Sequence, residues 1–395
     1  MHARGRRTAL AVTTATALAA CAAYALATAA DARAQAPGAD GRIHFTVDDE
    51  RDLPDARPGD GTCAAPAPDG RCTLRAAFDE AGASGQPTTI ALPAGLYTLN
   101  LNRGAAPPVA GPAYAGLYVP SGADVRLEGA GAAVTVIRLG LALSETRMII
   151  VAESARLDVT GATLRAAGAH SAIQTYGRLT VADAVLSGCS PCTSVVSVDF
   201  DGTLAMTRTV VADNKVDTVL FLWGSAVVVS STFQHNVVAS QVLYAYGAAR
   251  FEASAIIGNE FAMLTSWGGG GGHVQLHHST VADNVIRLWD FGGAPMFGSG
   301  PLTLEHTTIA GNRATAERGP MVLFRSDRLA ITASIVADNG TLGDVYIPSA
   351  GCIVPTIVSH GDSVVDQSSC ADPARGDRVV ADADLGPLVD AGGPT

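Results

Sequence analysis

The chain has 395 residues, enough for a large core, and only 16% of them are charged while 43 are glycine. This composition favours many short strands and tight turns over helices. The formal net charge is −11 and no basic stripe occurs, which excludes the usual electrostatic basis for binding nucleic acid.

Residues 1–34 have the layout of a secretory signal peptide. Three arginines precede an apolar, alanine-rich run, and Ala32-Arg33-Ala34 offers a cleavage site with small residues at both ends. Alternatively, Leu18-Ala-Ala-Cys21 resembles a bacterial lipobox in which Cys21 carries the lipid. We therefore predict an exported protein, secreted, periplasmic or on the cell surface, and no transmembrane helix in the mature chain.

Residues 35–120 differ from the rest of the chain and are predicted to form an N-terminal cap region. Leu74, Ala77, Phe78 and Ala81 recur at helical spacing and give a helix one apolar face. Two short strands about a Pro-Ala-Gly turn follow over residues 88–99. A helix with one apolar side can cover the open end of a repetitive core, which would otherwise expose strand edges.

Residues 121–345 are built from short repeats. The triplet Ala-Asp-Asn occurs three times, and looser copies lie between these. The interval between copies ranges from 22 residues (Asn214 to Asn236) to 28 residues (Asn284 to Asn312). This period is typical of one coil of a right-handed parallel β-helix with three strands per coil. We expect the asparagines to form the turns, because asparagine tolerates left-handed backbone angles and bonds its own main chain.

Six cysteines remain once Cys21 is set aside, and they lie in close pairs. An even, locally paired set in an exported chain predicts disulfides. A redox-active motif is the alternative for the pair with two intervening residues, but that chemistry needs a helix N-terminus and this pair is expected in a turn. The predicted disulfides are Cys63 with Cys72, Cys189 with Cys192, and Cys352 with Cys370.

Two segments resemble known bacterial families. The run Cys72-Thr-Leu-Arg-Ala-Ala resembles the Cys-Ser-Leu-Arg-Glu-Ala run of the CSLREA domain, with Thr73 and Ala76 as departures, and the flanking residues 58–63 and 90–99 match as well. Residues 384–395 resemble the C-terminal run of choice-of-anchor surface proteins. The resemblance implies an exported protein in which right-handed β-helix coils follow the cap, with residues 346–395 as a C-terminal cap or tail. It implies no particular chemistry.

Carboxylates give no clear catalytic site in the sequence. Polysaccharide hydrolases need two carboxylates around the bond, and lyases need cation-binding carboxylates with a base. Asp199 and Asp201, predicted on one strand face, come nearest to such a pair. A groove holding three or more acidic and basic side chains would distinguish an enzyme from a binding protein.

Histidines do not indicate a metal site either. His278 and His306 share one position of the repeat, and because adjacent strands lie about 4.8 Å apart their rings can stack. A third ligand is missing from the pattern. We therefore predict no metal and no cofactor.

Aromatic residues followed by glycine recur at the coil period. Strand alternation places Leu220, Leu222, Leu243 and Ala245 in the core and the neighbouring rings outside. The opposite orientation, with the rings stacked inside, stays open at this point because a shift of one residue exchanges the two faces. The predicted ligand-binding residues are Tyr176, Phe221, Trp223, Tyr244, Tyr246 and Trp267.

These patterns together predict a monomeric, non-enzymatic protein that binds a glycan or a surface protein through an exposed row of aromatic residues. Exposed apolar patches mark contact surfaces, and rings with polar tips suit sugars or proteins. The alternatives are a polysaccharide lyase or hydrolase of the pectin-lyase-like fold, and a structural spacer or passenger.

Overall fold

A computed structural model describes residues 38–386, except 69, 101–114, 141–144, 267–271, 288–294, 299, 316–321, 327, 343–346, 349–350, 353, 355 and 382. The predicted signal peptide (1–34), Cys21, Trp267 and residues 387–395 of the predicted tail lie outside the described residues. Within the described part of the chain, no helix is long and apolar enough to cross a membrane.

The chain winds as a right-handed parallel β-helix, which confirms the predicted fold class. Each coil contributes strands to three sheets, and the strands of successive coils pair side by side. We number the strands β1 to β39 along the chain. Among the described residues, the three sheets contain 12, 12 and 15 strands.

Sheet 1 begins with β1 and has its strands in chain order. These strands are β1 (Ile43–Thr46), β2 (Thr88–Leu92), β5 (Asp124–Gly129), β8 (Arg156–Thr160), β11 (Arg178–Ala182), β14 (Thr203–Thr207), β17 (Ser225–Val229), β20 (Ala249–Glu252), β24 (Val274–His277), β28 (Pro301–Glu305), β32 (Arg328–Thr332) and β37 (Ile357–Ser359).

Sheet 2 consists of the short strands that follow sheet 1 in each coil. These strands are β3 (Gly95–Leu99), β6 (Thr135–Leu139), β9 (Thr163–Arg165), β12 (Val185–Ser187), β15 (Val210–Ala212), β18 (Thr232–Gln234), β21 (Ala255–Ile257), β25 (Thr280–Ala282), β29 (Thr308–Ala310), β33 (Ile335–Ala337), β38 (Val364–Val365) and β39 (Arg378–Val379).

Sheet 3 closes each coil, and in the later coils its strand is divided into two. These strands are β4 (Ala115–Val119), β7 (Arg147–Val151), β10 (Ser171–Thr175), β13 (Cys192–Val198), β16 (Lys215–Leu222), β19 (Val237–Ala245), β22 (Glu260–Phe261), β23 (Met263–Ser266), β26 (Val285–Arg287), β27 (Pro295–Phe297), β30 (Arg313–Thr315), β31 (Val322–Phe324), β34 (Gly340–Leu342), β35 (Ile347–Pro348) and β36 (Gly351–Cys352).

The core lies inside the coils and is formed by columns of aliphatic side chains. In sheet 1, Leu157, Leu179 and Leu204 occupy the same position of successive strands and are at most 2% exposed. Burying one such side chain contributes about 1.5 to 3 kcal/mol. Each coil therefore depends on the apolar surface of its two neighbours.

A helix, α1 (Leu74–Ser84), and two short 3-10 helices (Ser368–Cys370 and Pro373–Arg375) complete the described elements. The Thr73 side chain caps α1 by accepting from the Ala76 amide at 3.1 Å. The predicted apolar face of α1 is buried and packs on β2, β4 and β5. Strands β1 to β4 already belong to the three sheets, so the coils begin within residues 35–120.

The repeated asparagines line the interior of the corner between sheets 2 and 3, and each is at most 1% exposed. The expected left-handed conformation of the asparagine itself is wrong. The preceding residue adopts it, with φ of 56° at Asp213, 53° at His235 and 62° at Gly258. That turn directs the asparagine side chain inward. We call the set the asparagine ladder: Asn214, Asn236, Asn259, Asn284, Asn312 and Asn339.

Side-chain amides join the asparagine ladder from coil to coil. Asn259 shows the pattern: its Oδ1 accepts from the backbone N of Asn236 at 3.0 Å and from the Nδ2 of Asn236 at 2.9 Å. Its Nδ2 donates to the Phe233 carbonyl at 2.9 Å and to the Asn284 Oδ1 at 3.1 Å. The ladder therefore satisfies backbone groups that the buried corner would otherwise leave unpaired.

All three predicted disulfides are formed. The Cys189–Cys192 bridge lies in the turn between β12 and β13, and the Cys189 amide donates to the Oδ1 of Asn214 at 3.0 Å. The bridge therefore lies next to Asn214, the first residue of the asparagine ladder. No helix begins in that turn, so no helix N-terminus is present there to activate a thiol. Three disulfides fit an extracellular protein.

Replacing Asn259 by Ala should destabilise the β-helix by about 2 to 5 kcal/mol, because buried partners on two neighbouring coils lose their hydrogen bonds. Urea unfolding followed by circular dichroism measures the change. Asn100→Ala is the control, since Asn100 is exposed and outside the ladder. Equal stability of the two variants would contradict the role given to the ladder.

Candidate functional site

The aromatic residues lie on the outer surface of sheet 3. Leu220, Leu222, Leu243 and Ala245 are at most 4% exposed and face the core. The described members of the predicted aromatic row are half-buried, so the structure resolves the orientation that the sequence left open. These members are Tyr176, Phe221, Trp223, Tyr244 and Tyr246.

Four of these residues form two stacks between β16 and β19. Phe221 pairs in register with Tyr244, and their ring centroids are 4.9 Å apart with an angle of 4° between the planes. Trp223 and Tyr246 are 3.8 Å apart, also with an angle of 4°. We call these pairs the aromatic stacks.

Each aromatic stack covers the two ring faces that meet between its members. Rings this close and this parallel leave no room for a third ring or a sugar between them. The Tyr244 hydroxyl donates to that of Tyr246 at 2.8 Å. A ligand therefore cannot pack on the ring faces that meet within each stack.

The row is also interrupted between Tyr176 and Trp223. Tyr176, Asp199, Trp223 and Tyr246 occupy equivalent positions, because each donates its amide to the previous coil at 2.8 Å. Asp199 thus replaces an aromatic residue in the row. The prediction that Asp199 and Asp201 share a strand face is wrong, since both lie in the turn after β13.

A polar cluster fills this interruption. Gln174 donates from Nε2 to the Tyr176 hydroxyl at 2.7 Å and to the Asp199 Oδ2 at 2.9 Å. The Nε of Arg147 donates to the Oε1 of Gln174 at 2.6 Å, which holds the amide in place. We call Arg147, Gln174, Tyr176 and Asp199 the polar cluster.

Phe200 is the functional candidate that sequence reasoning missed. Phe200 is 71% exposed. The centroid of its ring lies 4.5 Å from that of Trp223, with an angle of 39° between the ring planes. Phe200 lacks the following glycine that marks Tyr176, Trp223 and Tyr246. The available signal was an aromatic residue between two aspartates in a turn.

A shallow groove of about 450 Å³ lies beside the polar cluster, and Tyr176 of that cluster is one of its lining residues. This volume is within the range of small-molecule sites. Four charged residues line it, Glu153, Arg156, Arg178 and Asp201, at the turns that lead from sheet 3 into sheet 1. The groove therefore contains the mixed acidic and basic set that the sequence did not reveal.

His278 and His306 stack as predicted, with ring centroids 4.8 Å apart and an angle of 3°. They lie at the turn after sheet 1, outside the groove and the polar cluster. The described residues contain no group of three or more His, Cys, Asp or Glu side chains that could hold a metal ion.

No model of a protein family matches the chain, and no curated protein matches it. Among solved structures, the chain is similar to pectate lyase Pel9A, at 12% identity, a TM-score of 0.47 and 80% coverage of both chains. It is also similar to the catalytic domain of the GH87 alpha-1,3-glucanase in complex with nigerose, at 10% identity, a TM-score of 0.39 and coverage of 88% of this chain and 69% of that one.

A third similar structure is a mutant tailspike protein of the E. coli bacteriophage HK620 in complex with pentasaccharide. The identity is 12%, the TM-score is 0.40, and 85% of this chain and 68% of that one are covered. Identities and TM-scores this low do not indicate the function of this chain.

Replacing Tyr246 by Phe should lower the pKa of Tyr244. The hydrogen bond that Tyr244 donates to Tyr246 raises the pKa of Tyr244 to about 12, because ionisation would remove the donated proton. Without the acceptor, the pKa should fall towards the ordinary tyrosine value of 10.0.

Ultraviolet difference titration of tyrosine ionisation measures this shift. Tyr118→Phe is the control, because it also removes one tyrosine from sheet 3, in the strand β4. A high-pH ionisation phase that persists in Tyr246→Phe and disappears in Tyr244→Phe would show that the hydroxyl pair is not its cause.

Proposed function

We propose that the protein is an exported, cell-surface or secreted glycan-binding protein. Its binding surface combines Phe200, the aromatic stacks and the polar cluster. The observation that carries the proposal is the Phe200 ring, which is 71% exposed and lies against Trp223 beside polar groups held in fixed positions.

The surface offers both kinds of contact that a sugar ring requires. The C–H face of a sugar packs on an exposed aromatic ring, and Phe200 presents one. Sugar hydroxyls exchange hydrogen bonds with amides, carboxylates and phenols, which Gln174, Asp199 and Tyr246 supply. The role of the aromatic stacks is then to support Phe200 and to present hydroxyls.

Order within the site supports binding over a purely structural role. Gln174 is held by Arg147 and in turn orients Tyr176 and Asp199. Side chains fixed in this way lose little conformational freedom when a ligand binds. A spacer would not require an exposed phenylalanine, whose contact with water is unfavourable.

Replacing Phe200 by Ala should weaken binding to the recognised glycan about two- to tenfold, because aromatic packing contributes about 0.5 to 1.5 kcal/mol beyond its buried area. A glycan array identifies the ligand, and isothermal titration calorimetry measures the loss. Val227→Ala is the matched control, since Val227 is an exposed apolar residue (45%) of sheet 1. Unchanged affinity in Phe200→Ala, or the absence of any bound glycan, would refute the proposal.

A second candidate function is cleavage of a polysaccharide by hydrolysis. The supporting observation is that one groove holds four acidic and basic side chains, the feature that we expected of an enzyme. Two of them, Glu153 and Asp201, are the pair of carboxylates that such a reaction needs.

If the groove hydrolyses glycans, the wild type should release reducing ends, and Glu153→Gln and Asp201→Asn should each lose at least about a hundredfold in rate, the usual contribution of an acid or base. A reducing-sugar assay on pectin, alginate and α-glucan measures this. Glu145→Gln is the control, because Glu145 is exposed and does not line the groove. Cleavage that survives both substitutions would exclude these carboxylates.

A further inference from the structure

The groove beside the polar cluster is lined by charged residues of both signs, and most of them have no ion-pair partner among the described residues. Of its four charged residues, only Arg156 has an ion-pair partner among the described residues: Asp158, at 2.8 Å. Glu153, Arg178 and Asp201 are exposed, and within the described part of the chain none of them makes an ion pair or a side-chain hydrogen bond.

These three residues belong to three successive coils. Glu153 lies in the turn after β7, Arg178 begins β11, and Asp201 lies in the turn after β13. Opposite charges on neighbouring coils elsewhere in the chain do pair, as Arg208 and Asp183 do at 2.6 Å. The groove is therefore lined by charges of both signs that have no ion-pair partner among the described residues, and its volume is large enough for a small molecule.

The two signs restrict what the groove can bind. An anionic ligand would find Arg178 but would be repelled by Glu153 and Asp201. A simple cation would find the carboxylates but would be repelled by Arg178. A ligand that carries an ammonium and a carboxylate satisfies both sets at once, and complementary charge is the basis of such selectivity.

We propose that the groove binds a zwitterionic group of the amino-acid type, with Arg178 holding the carboxylate and Glu153 and Asp201 holding the ammonium. Arginine suits the carboxylate because its guanidinium can donate two parallel hydrogen bonds. This site is additional to the glycan surface and does not depend on it. The two are adjacent, so an amino-acid substituent on a bound glycan can reach both.

Three zwitterions of increasing charge separation test the proposal: glycine, β-alanine and γ-aminobutyric acid. Saturation-transfer NMR on the full-length mature protein at low salt compares them with acetate and ethylammonium at equal concentration. We expect saturable binding of at least one zwitterion and at least fivefold weaker binding of both singly charged probes. Added salt should weaken the binding, because the groove is open to solvent.

Variants separate this site from its surroundings. Arg178→Gln and Asp201→Asn should each weaken zwitterion binding at least fivefold, whereas Arg378→Gln, an exposed arginine of the last strand, should not. Phe200→Ala should leave it unchanged while reducing glycan binding.

Three results would overturn the proposal: no zwitterion binds, acetate or ethylammonium binds as tightly as the best zwitterion, or Arg178→Gln and Asp201→Asn both keep full affinity. If glycan binding is intact in the same experiments, any of these results would refute the zwitterion site without contradicting the proposed glycan-binding surface. Circular dichroism confirms that each variant is folded.

Discussion

The hydrogen-bonded asparagine ladder is the constraint on which the rest of the structure depends. From Asn214 to Asn312, each asparagine of the ladder connects three coils. Its side chain accepts from the previous coil, donates to the next asparagine, and also donates to a carbonyl of the previous coil, as Asn236 does with Val211 at 2.8 Å. A coil that shifted by one residue would leave several buried polar groups without partners, which is costly. The ladder therefore fixes the register between coils more strictly than aliphatic packing, which tolerates shape changes.

That register determines what lies on the outer surface. With Asn214 and Asn236 aligned, Val216 pairs with Val238, and beyond a one-residue irregularity Phe221 pairs with Tyr244. The rings then stand one above the other at about the spacing of neighbouring strands, which brings them into stacking contact. The aromatic stacks are thus a consequence of the same repeat that builds the core.

The sequence predicts the fold well because the residues that repeat are those that form the core and the turns of each coil. The coil period, the helix α1 and the three disulfides follow from spacing alone. Spacing alone did not decide the orientation of the aromatic row. Val219 and Leu220 are both fully buried, so buried and exposed residues do not alternate regularly along the strand β16. The left-handed residue was also misassigned, since asparagine is suited to both the turn and the buried ladder, and only the contacts distinguish them.

The candidate site could not be predicted in the same way, because it lies where the repeat is broken. Asp199 takes the place of an aromatic residue, and the row of rings stops there. Gln174 and Arg147 organise the carboxylate, and Phe200 turns outward against Trp223. A periodic pattern identifies what successive coils share, so it does not point to a site that forms where one coil differs from its neighbours. The departure at residues 199–201 is therefore where this β-helix acquires a surface with its own chemistry, and the groove with unpaired charges opens on the same turn.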